Sequence, residues 1–311
     1  MVPNLKKSLV TPNGTPLNWK AAIKVPRVGT ASESTVIGTA VDYAMRAILT
    51  RRVGSANTIA HPFIAEEALF SLPKVVEQNY VSLMNTPTGD PLLVKRKLEG
   101  LKRAMDRQTD ISKYLALRVF EARKIYDDYT QGVASLQELC HHTLLLARLD
   151  AVYRAAVPNV IDVYFEEFED LTFYRRDDAP SDTQLADNVL QLARLFETQI
   201  TVLPMNKVQC NPTFGRYSRA VGGADADFIM DNTLIDIKTT VKLAYNGKDM
   251  AQILGYSAMA QALGQRIDVV GIYYARYGIW ALLPLNHLPT GFLAQYLQAI
   301  LDVAGTQSVG R

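Results

Sequence analysis

The densest group of chemically reactive side chains lies between Gly222 and Thr240, where the sequence reads GGADADFIMDNTLIDIKTT. Hydrophobic residues alternate with polar ones on both sides of Asp231-Asn232. An Asp-Asn pair tolerates the positive φ that a two-residue hairpin turn requires. The pattern therefore predicts a β-hairpin in which Met230 lies opposite Thr233.

This register places four charged side chains on one face of the hairpin. Asp227 is expected opposite Asp236, and Asp225 opposite Lys238. Because directly opposed carboxylates repel, a positive group should sit between them. Mg²⁺ or Mn²⁺ is the natural candidate, since hard cations take carboxylate and water oxygens and activate the bound water. Lys238 is expected to hold that water or to stabilise a developing phosphorane charge.

A second pattern follows the hairpin at a short distance. Gln252 and Tyr256 are four residues apart in a segment with helical character, so they lie one above the other on a helix face. An amide and a phenol in this arrangement can orient a nucleotide or the carboxylates of a metal site.

Together these residues resemble the PD-(D/E)xK nuclease superfamily, and specifically its RecB-like branch, over about Gly222 to Tyr256. The resemblance implies that Asp227 and Asp236 are metal ligands and that Lys238 is the catalytic lysine. It also implies that Gln252 and Tyr256 form an accessory pair. Asp225 competes with Asp227 for the role of first metal ligand, and a different turn length would favour it.

The RecB-like branch also has an upstream helix with a small-residue start followed by a metal-approaching His. The segment from Gly38 to Tyr43, which reads GTAVDY, is similar to that element, but Asp42 stands where the His would be. Asp42 can ligate a hard cation through oxygen, or it can simply pair with Arg46 one helical turn later. In the more general superfamily pattern the upstream acid is a Glu on the helix before the first strand, and on that ground Glu197 is the rival.

Basic residues flank the acidic hairpin in the sequence. Arg216 and Arg219 precede it and Lys242 follows it, a distribution that suits phosphate binding but also fits ordinary solvent-exposed residues. Tyr217 and Tyr245 lie among these residues and can stack on bases.

Hydrophobic periodicity divides the chain into a helical part and a β-rich part. Helical spacing predicts helices over about 35–52, 61–72, 74–85, 91–107, 111–130, 135–155, 160–170 and 184–199. Beyond residue 201, short β-type runs predict strands at 207–210, 225–230, 233–240, 269–275 and 279–285, with helices at about 249–264 and 290–304.

The expected fold class is therefore α/β (α+β). The resemblance implies a restriction-endonuclease-like core with a mixed central sheet flanked by helices, plus a large helical insertion. We predict an N-terminal arm over 1–34, a nuclease-like core from 35–55 and 200–311, and an insertion over 56–199 that shapes a substrate groove or contacts a partner.

Composition narrows the functional classes. The 311 residues are 48% hydrophobic with 33 Lys and Arg against 31 Asp and Glu, which is ordinary for a globular protein and unlike a strongly basic architectural nucleic-acid binder. Two cysteines cannot form a disulfide framework, an iron–sulfur cluster or a four-cysteine zinc site. Without a long apolar run, we expect no membrane segment and a cytoplasmic location.

These features predict a metal-dependent nuclease that hydrolyses phosphodiester bonds, with DNA as the expected substrate and Mg²⁺ or Mn²⁺ as cofactor. The chain has no P-loop motif. By analogy, the resemblance to RecB-like nucleases implies a partner protein that loads the nucleic acid. Two alternatives remain open: a non-catalytic nucleic-acid or protein-binding module on a nuclease-like fold, and a helical interaction protein whose hairpin is coincidental.

Overall fold

The computed structural model describes residues 5–60, 63–87, 90–155 and 182–308 and has a mixed α/β architecture. The chain divides into two compact units. The sheet unit comprises residues 1–26, 48–61 and 194–311, and the helical unit comprises residues 27–47 and 62–193. Within the described ranges, none of the helices is both long and apolar enough to span a bilayer.

A six-stranded sheet is the centre of the sheet unit. Its strands, in chain order and in spatial order alike, are β1 Thr58–Ala60, β2 Val208–Cys210, β3 Phe228–Met230, β4 Thr233–Lys238, β5 Val269–Tyr274 and β6 Ile279–Pro284. The β1–β2 and β4–β5 pairs are parallel, and the other neighbouring pairs are antiparallel. The sheet is therefore mixed, as the sequence predicts.

The described helices are α1 Leu5–Ser8, α2 Ala31–Val53, α3 Ile64–Asn85, α4 Pro91–Asp106, α5 Gln108–Thr130, α6 Leu136–Ala155, α7 Asp182–Gln199, α8 Arg216–Ala220, α9 Gly247–Ala262 and α10 Phe292–Ser308. Helix α9 connects β4 to β5, because parallel neighbouring strands need a crossover between them. The unit boundaries at 47/48 and 193/194 fall inside α2 and α7.

One face of the sheet packs against α9, and α10 packs against α9 in turn. Leu234 and Ile272 on the strands and Ile253 on α9 are all at most 1% exposed and belong to one hydrophobic cluster. Each such aliphatic side chain contributes about 1.5–3 kcal/mol when it is removed from water. This burial fixes the orientation of α9 and so of the polar residues on its other faces.

Aromatic residues cover the opposite face of the sheet. The ring of Tyr273 lies 4.4 Å from that of Trp280 and 5.2 Å from that of Phe196 on α7. The Trp280 Nε1–H group donates to the carbonyl oxygen of Gln199 at 3.2 Å. The two faces are thus both covered, and the strands are correspondingly hydrophobic.

Most predicted elements match the structure to within a few residues. The helices predicted at 61–72 and 74–85 form the single helix α3, which contains Pro73. A proline inside a helix lacks an N–H donor and crowds the carbonyl one turn earlier, yet Leu72 and Val75 remain buried on either side of Pro73. Strand β1 and the short helices α1 and α8 are not predicted, because three to five residues are too few to show a periodic pattern. The predicted helix at 160–170 lies outside the described residues.

The N-terminal segment differs from the predicted arm. Val10 and Leu282 of β6 exchange both backbone hydrogen bonds, at 2.9 and 2.8 Å, and Leu5, Leu9 and Leu17 are buried in the sheet unit. Prolines, glycines and polar residues dominate this segment, so its widely spaced leucines give no periodic signal. The compact units also place residues 27–47 with the helices, whereas the prediction places 35–55 with the sheet.

Candidate active site

The acidic hairpin forms in the predicted register. Met230 pairs with Thr233 and Phe228 with Ile235. Asp231 adopts a φ of +47°, the left-handed conformation that the turn requires. Its carboxylate also accepts the backbone N–H group of Lys207 at 3.0 Å, which anchors the turn to the start of β2.

Asp227 lies directly beside the end of β4 that carries Asp236. The Asp227 Oδ2 atom accepts the backbone N–H of Ile237 at 2.5 Å, and the Asp227 carbonyl oxygen accepts the N–H of Asn211 at 2.8 Å. The side chain thus replaces the ladder hydrogen bond that β3 would make here. This contact fixes the Asp227 carboxylate next to the residues at the carboxyl end of β4.

Asp225 does not take the cross-strand position that the hairpin register predicts. It forms an isolated bridge with Thr213, and the N–H of Ala226 donates to the carbonyl of Pro212 at 3.1 Å. The regular β3–β4 pairing ends at Phe228. The prediction that Asp225 lies opposite Lys238 is therefore wrong, because the chain bends toward the 211–213 segment before it reaches that register.

Lys238 is the centre of the polar group. Its Nζ atom lies 2.8 Å from Asp236 Oδ2, 3.2 Å from Gln252 Oε1 and 3.9 Å from Asp249 Oδ1. Burial alone would lower the pKa of Lys238. The charge of Asp236 and its hydrogen bond, together with the charges of Asp249 and Asp227, outweigh burial and raise this pKa above its usual value.

Helix α9 supplies the remaining side chains of the group. Gln252 Nε2 donates to Tyr256 Oη at 2.8 Å, and the Tyr256 ring stacks on Phe214 at 5.6 Å. Burial, with the charges of Asp236, Asp225 and Asp227, raises the pKa of Tyr256 to about 12, and the Gln252 hydrogen bond acts in the opposite direction. The phenol therefore stays protonated at neutral pH.

Asp249 belongs to this group, although the sequence analysis does not single it out. It lies three residues before Gln252 and seven before Tyr256, which is the spacing of one helix face. That spacing is a signal that could have found it. Asn246 caps the helix by accepting the N–H of Lys248 at 3.0 Å, which fixes where this face begins.

The loop that follows Lys238 is held by residues at the β5–β6 turn. Arg276 is fully buried, and its Nε donates to the carbonyl of Thr239 at 2.8 Å while its Nη1 donates to that of Pro26 at 2.7 Å. The Tyr277 hydroxyl donates to the Val241 carbonyl at 2.5 Å. No sequence signal marks these contacts, because their partners are backbone carbonyls far away in the chain.

Other predicted residues take different positions. In the helical unit, Arg46 engages both carboxylate oxygens of buried Asp42 as an ion pair, which matches the alternative interpretation of Asp42, and its role as a metal ligand stays a prediction. In the sheet unit, Glu197 is exposed and follows Phe196, which packs on the sheet face opposite to Asp236.

The predicted phosphate-binding residues Arg216, Arg219 and Lys242 are all exposed. Arg216 donates to the Tyr217 hydroxyl at 2.9 Å, and its guanidinium lies 4.9 Å from the centroid of that ring. Tyr217 itself is only partly buried. Exposed cations fit both a phosphate-binding role and ordinary surface residues, so their role stays a prediction.

The donor set suits a hard cation with few protein ligands. No group of three His, Cys, Asp or Glu side chains in the described ranges is arranged to hold a metal ion. Mg²⁺, however, is commonly held by one or two carboxylates, with water or phosphate oxygens completing the shell. Asp227 and Asp236 can provide two such carboxylates.

Comparisons of the chain with protein-family models, with curated proteins and with solved structures found no match. The resemblance to the PD-(D/E)xK superfamily therefore depends on the residues themselves and stays a prediction.

Proposed function

We propose that this protein is a metal-dependent nuclease of the PD-(D/E)xK type that hydrolyses phosphodiester bonds in DNA. The observation that carries the proposal is the contact of Lys238 with buried Asp236 and with Gln252 at the carboxyl end of β4, beside Asp227. In sheets with parallel strands, this end is the usual location of ligand sites.

The chain's own residues would divide the work as follows. Asp227 and Asp236 would hold Mg²⁺ or Mn²⁺, which when bound supplies an activated water and neutralises phosphate charge. Lys238 brings a fixed positive charge to the oxygens of the reacting phosphate. Gln252 and Tyr256 are positioning residues, since their hydrogen-bonded chain holds the Lys238 ammonium at a defined place before substrate arrives.

The surroundings also support a nucleic-acid substrate. Arg216 and Arg219 precede the hairpin in the sequence, and Lys242 follows it. All three side chains are exposed and can bind phosphates. We further infer a cytoplasmic location and a partner protein that loads the substrate. The chain contains only two cysteines, Cys140 and Cys210, too few for the disulfide framework of a small secreted domain.

The proposal is tested by cleavage of linear, circular and single-stranded DNA with Mg²⁺ or Mn²⁺. Wild type is compared with Asp236→Asn and Lys238→Ala at equal concentrations of folded protein. Asp268→Asn and Lys207→Ala serve as matched controls, because both residues are exposed and lie toward the other end of the strands. Cleavage of the circular DNA indicates endonuclease activity, because an exonuclease needs a free end.

We expect metal-dependent cleavage by wild type and both controls, and a loss of at least about 10²-fold in each site variant. Activity that persists in Asp236→Asn and Lys238→Ala would overturn the proposal. Silence of the wild type on DNA and RNA, together with no calorimetric Mn²⁺ binding that depends on Asp236, would also overturn it and would favour the non-catalytic binding module.

A further inference from the structure

An aromatic group lies beside the candidate active site within the sheet unit. The ring of Trp19 contacts the edges of two tyrosines, with centroids 6.0 Å from Tyr274 and 6.5 Å from Tyr245 and interplanar angles of 78° and 87°. Trp19 and Tyr245 are only partly buried, whereas Tyr274 is 1% exposed. Trp19 thus contacts one buried ring, that of Tyr274, and one partly exposed ring, that of Tyr245.

The strand register connects this group to the catalytic lysine. Tyr274 of β5 pairs directly with Lys238 of β4, so their side chains emerge from the same face of the sheet on adjacent strands. The Tyr274 hydroxyl donates to the Ala244 carbonyl at 3.2 Å, which holds the loop that carries Tyr245. The ring of Tyr274 and the spacing between the adjacent strands β4 and β5 therefore separate Trp19 from Lys238.

Lysines surround the two accessible rings. Lys6 places its ammonium 5.8 Å from the centroid of the Trp19 ring, and Lys20 follows Trp19 directly in the chain. Lys242 and Lys248 flank Tyr245 at three residues on each side. All four lysines are exposed, and in the part of the chain that the structure describes none of them forms an ion pair.

We infer that Trp19 and Tyr245 form a stacking platform for the unpaired bases of a single-stranded nucleic acid whose backbone runs over these lysines toward Lys238. Exposed aromatic rings and positive charge along the backbone are the two components of sequence-tolerant single-strand binding. A base can lie on such a ring only when it is not inside a duplex. This inference rests on the proposed function, because it specifies the form of the substrate at that site.

The alternative, that Trp19 is an ordinary core residue, is less consistent with its surroundings. The chain contains one other tryptophan, Trp280, which is 2% exposed and has its Nε1–H group satisfied by a backbone carbonyl. Trp19 by contrast is partly exposed, and an exposed lysine, whose side chain can move aside, extends over its ring. The two tryptophans also provide an internal control for the test.

The test is tryptophan fluorescence of the full chain in EDTA, where metal-dependent cleavage cannot occur. The titrants are a thymidine oligonucleotide of about 20 residues, an abasic oligonucleotide of equal length and a duplex of equal length. We expect the single strand to quench part of the emission, and the abasic strand and the duplex to leave it largely unchanged. In Trp19→Phe the remaining emission comes from Trp280 and should not respond.

Affinity measurements on variants complete the test. Trp19→Leu should weaken single-strand binding about tenfold, and Trp19→Phe, which keeps a flat ring, should weaken it less. The binding constant falls as salt concentration rises, and Lys6→Ala should make the negative slope of log K against log salt shallower by about 0.7. Lys207→Ala should leave this slope unchanged. The conservative Trp19→Phe change keeps the test valid if Trp19→Leu fails to fold.

Equal quenching by the abasic strand, or equal binding of the duplex, would overturn the platform. Cleavage that depends on Asp236 without any Trp19 quenching would overturn the platform but leave the nuclease proposal intact. Quenching by the single strand, in a protein that neither cleaves nucleic acid nor binds Mn²⁺ through Asp236, would support the platform and remove the nuclease proposal. The two proposals can therefore fail separately.

Discussion

The ion pair between Lys238 and Asp236 should couple the two residues measurably in the stability of the metal-free protein. The pair is close, at 2.8 Å, and the side chains of Asp236 and Lys238 are 8% and 25% exposed. At an effective dielectric constant of about 20, the gross attraction is about 6 kcal/mol. Removing both groups from water offsets most of it, and exposed pairs contribute at most about 1 kcal/mol.

We therefore expect a coupling free energy of about 2 kcal/mol from a double-mutant cycle of Lys238→Met and Asp236→Asn. Lys238→Met should be the more destabilising single change, because it leaves the buried Asp236 carboxylate without its cation. Asp236→Asn should cost less, because Asp249 and Asp227 remain close to the ammonium. The double variant should be more stable than the sum of the single losses predicts.

The assay is urea unfolding in EDTA near neutral pH. The acidic partners of Lys238 raise its pKa in the folded protein. The ion pair therefore contributes fully to the free energy of unfolding below the ordinary lysine pKa, and this contribution is lost as pH rises through the pKa of Lys238 in the folded protein. A matched cycle at the exposed pair Arg266 and Asp268, whose nitrogen and oxygen lie 2.9 Å apart, should show no measurable coupling. A Lys238–Asp236 coupling below about 0.5 kcal/mol would refute the reasoning.

Two further predictions concern packing and titration. Gly271→Ala should destabilise the protein by about 1–3 kcal/mol in the same urea assay, because its Cβ would lie 2.5 Å from a Leu282 methyl and 2.9 Å from an Ile235 methyl. The control Gly247→Ala meets no neighbouring atom and should cost nothing, so equal stability of the two variants would contradict the close packing. In an alkaline absorbance titration, the difference between wild type and Tyr256→Phe should show tyrosinate forming near pH 12 rather than 10. Because the pKa of Tyr256 is raised in the folded protein, its contribution to stability is present below about pH 10 and falls as pH rises toward 12. Ionisation of Tyr256 near pH 10 would contradict its burial.

The hairpin could be predicted from sequence because its determinants are local. The Asp231-Asn232 turn sets the register within two residues, and the alternating hydrophobics assign the faces. The same periodicity places Gln252 and Tyr256 on one side of α9. Prediction fails where distant segments decide the structure, as at Asp225, whose partner Thr213 lies in an irregular loop.

Residues that act through long-range backbone contacts could not be predicted either. Arg276 looks like an ordinary turn residue in the sequence, and it is buried only because carbonyls from the 25–26 and 239 segments converge on it. Trp19 lies in a segment whose composition suggests loop. Its role depends on the position of Tyr274, and no local pattern connects two residues that are so far apart in the chain.

The way the sheet unit is assembled from the chain constrains the order in which the protein can fold. Val10 pairs with Leu282, β1 pairs with β2 about 150 residues later, and Arg276 binds carbonyls 250 residues upstream. Contacts of such sequence separation form slowly, because a long loop must close before they stabilise anything. On the ribosome, the segment around Val10 therefore cannot pair with Leu282 until β6 has been synthesised. A nascent chain in this state exposes apolar surface, so its yield in cells should depend on chaperones that bind the N-terminal segment.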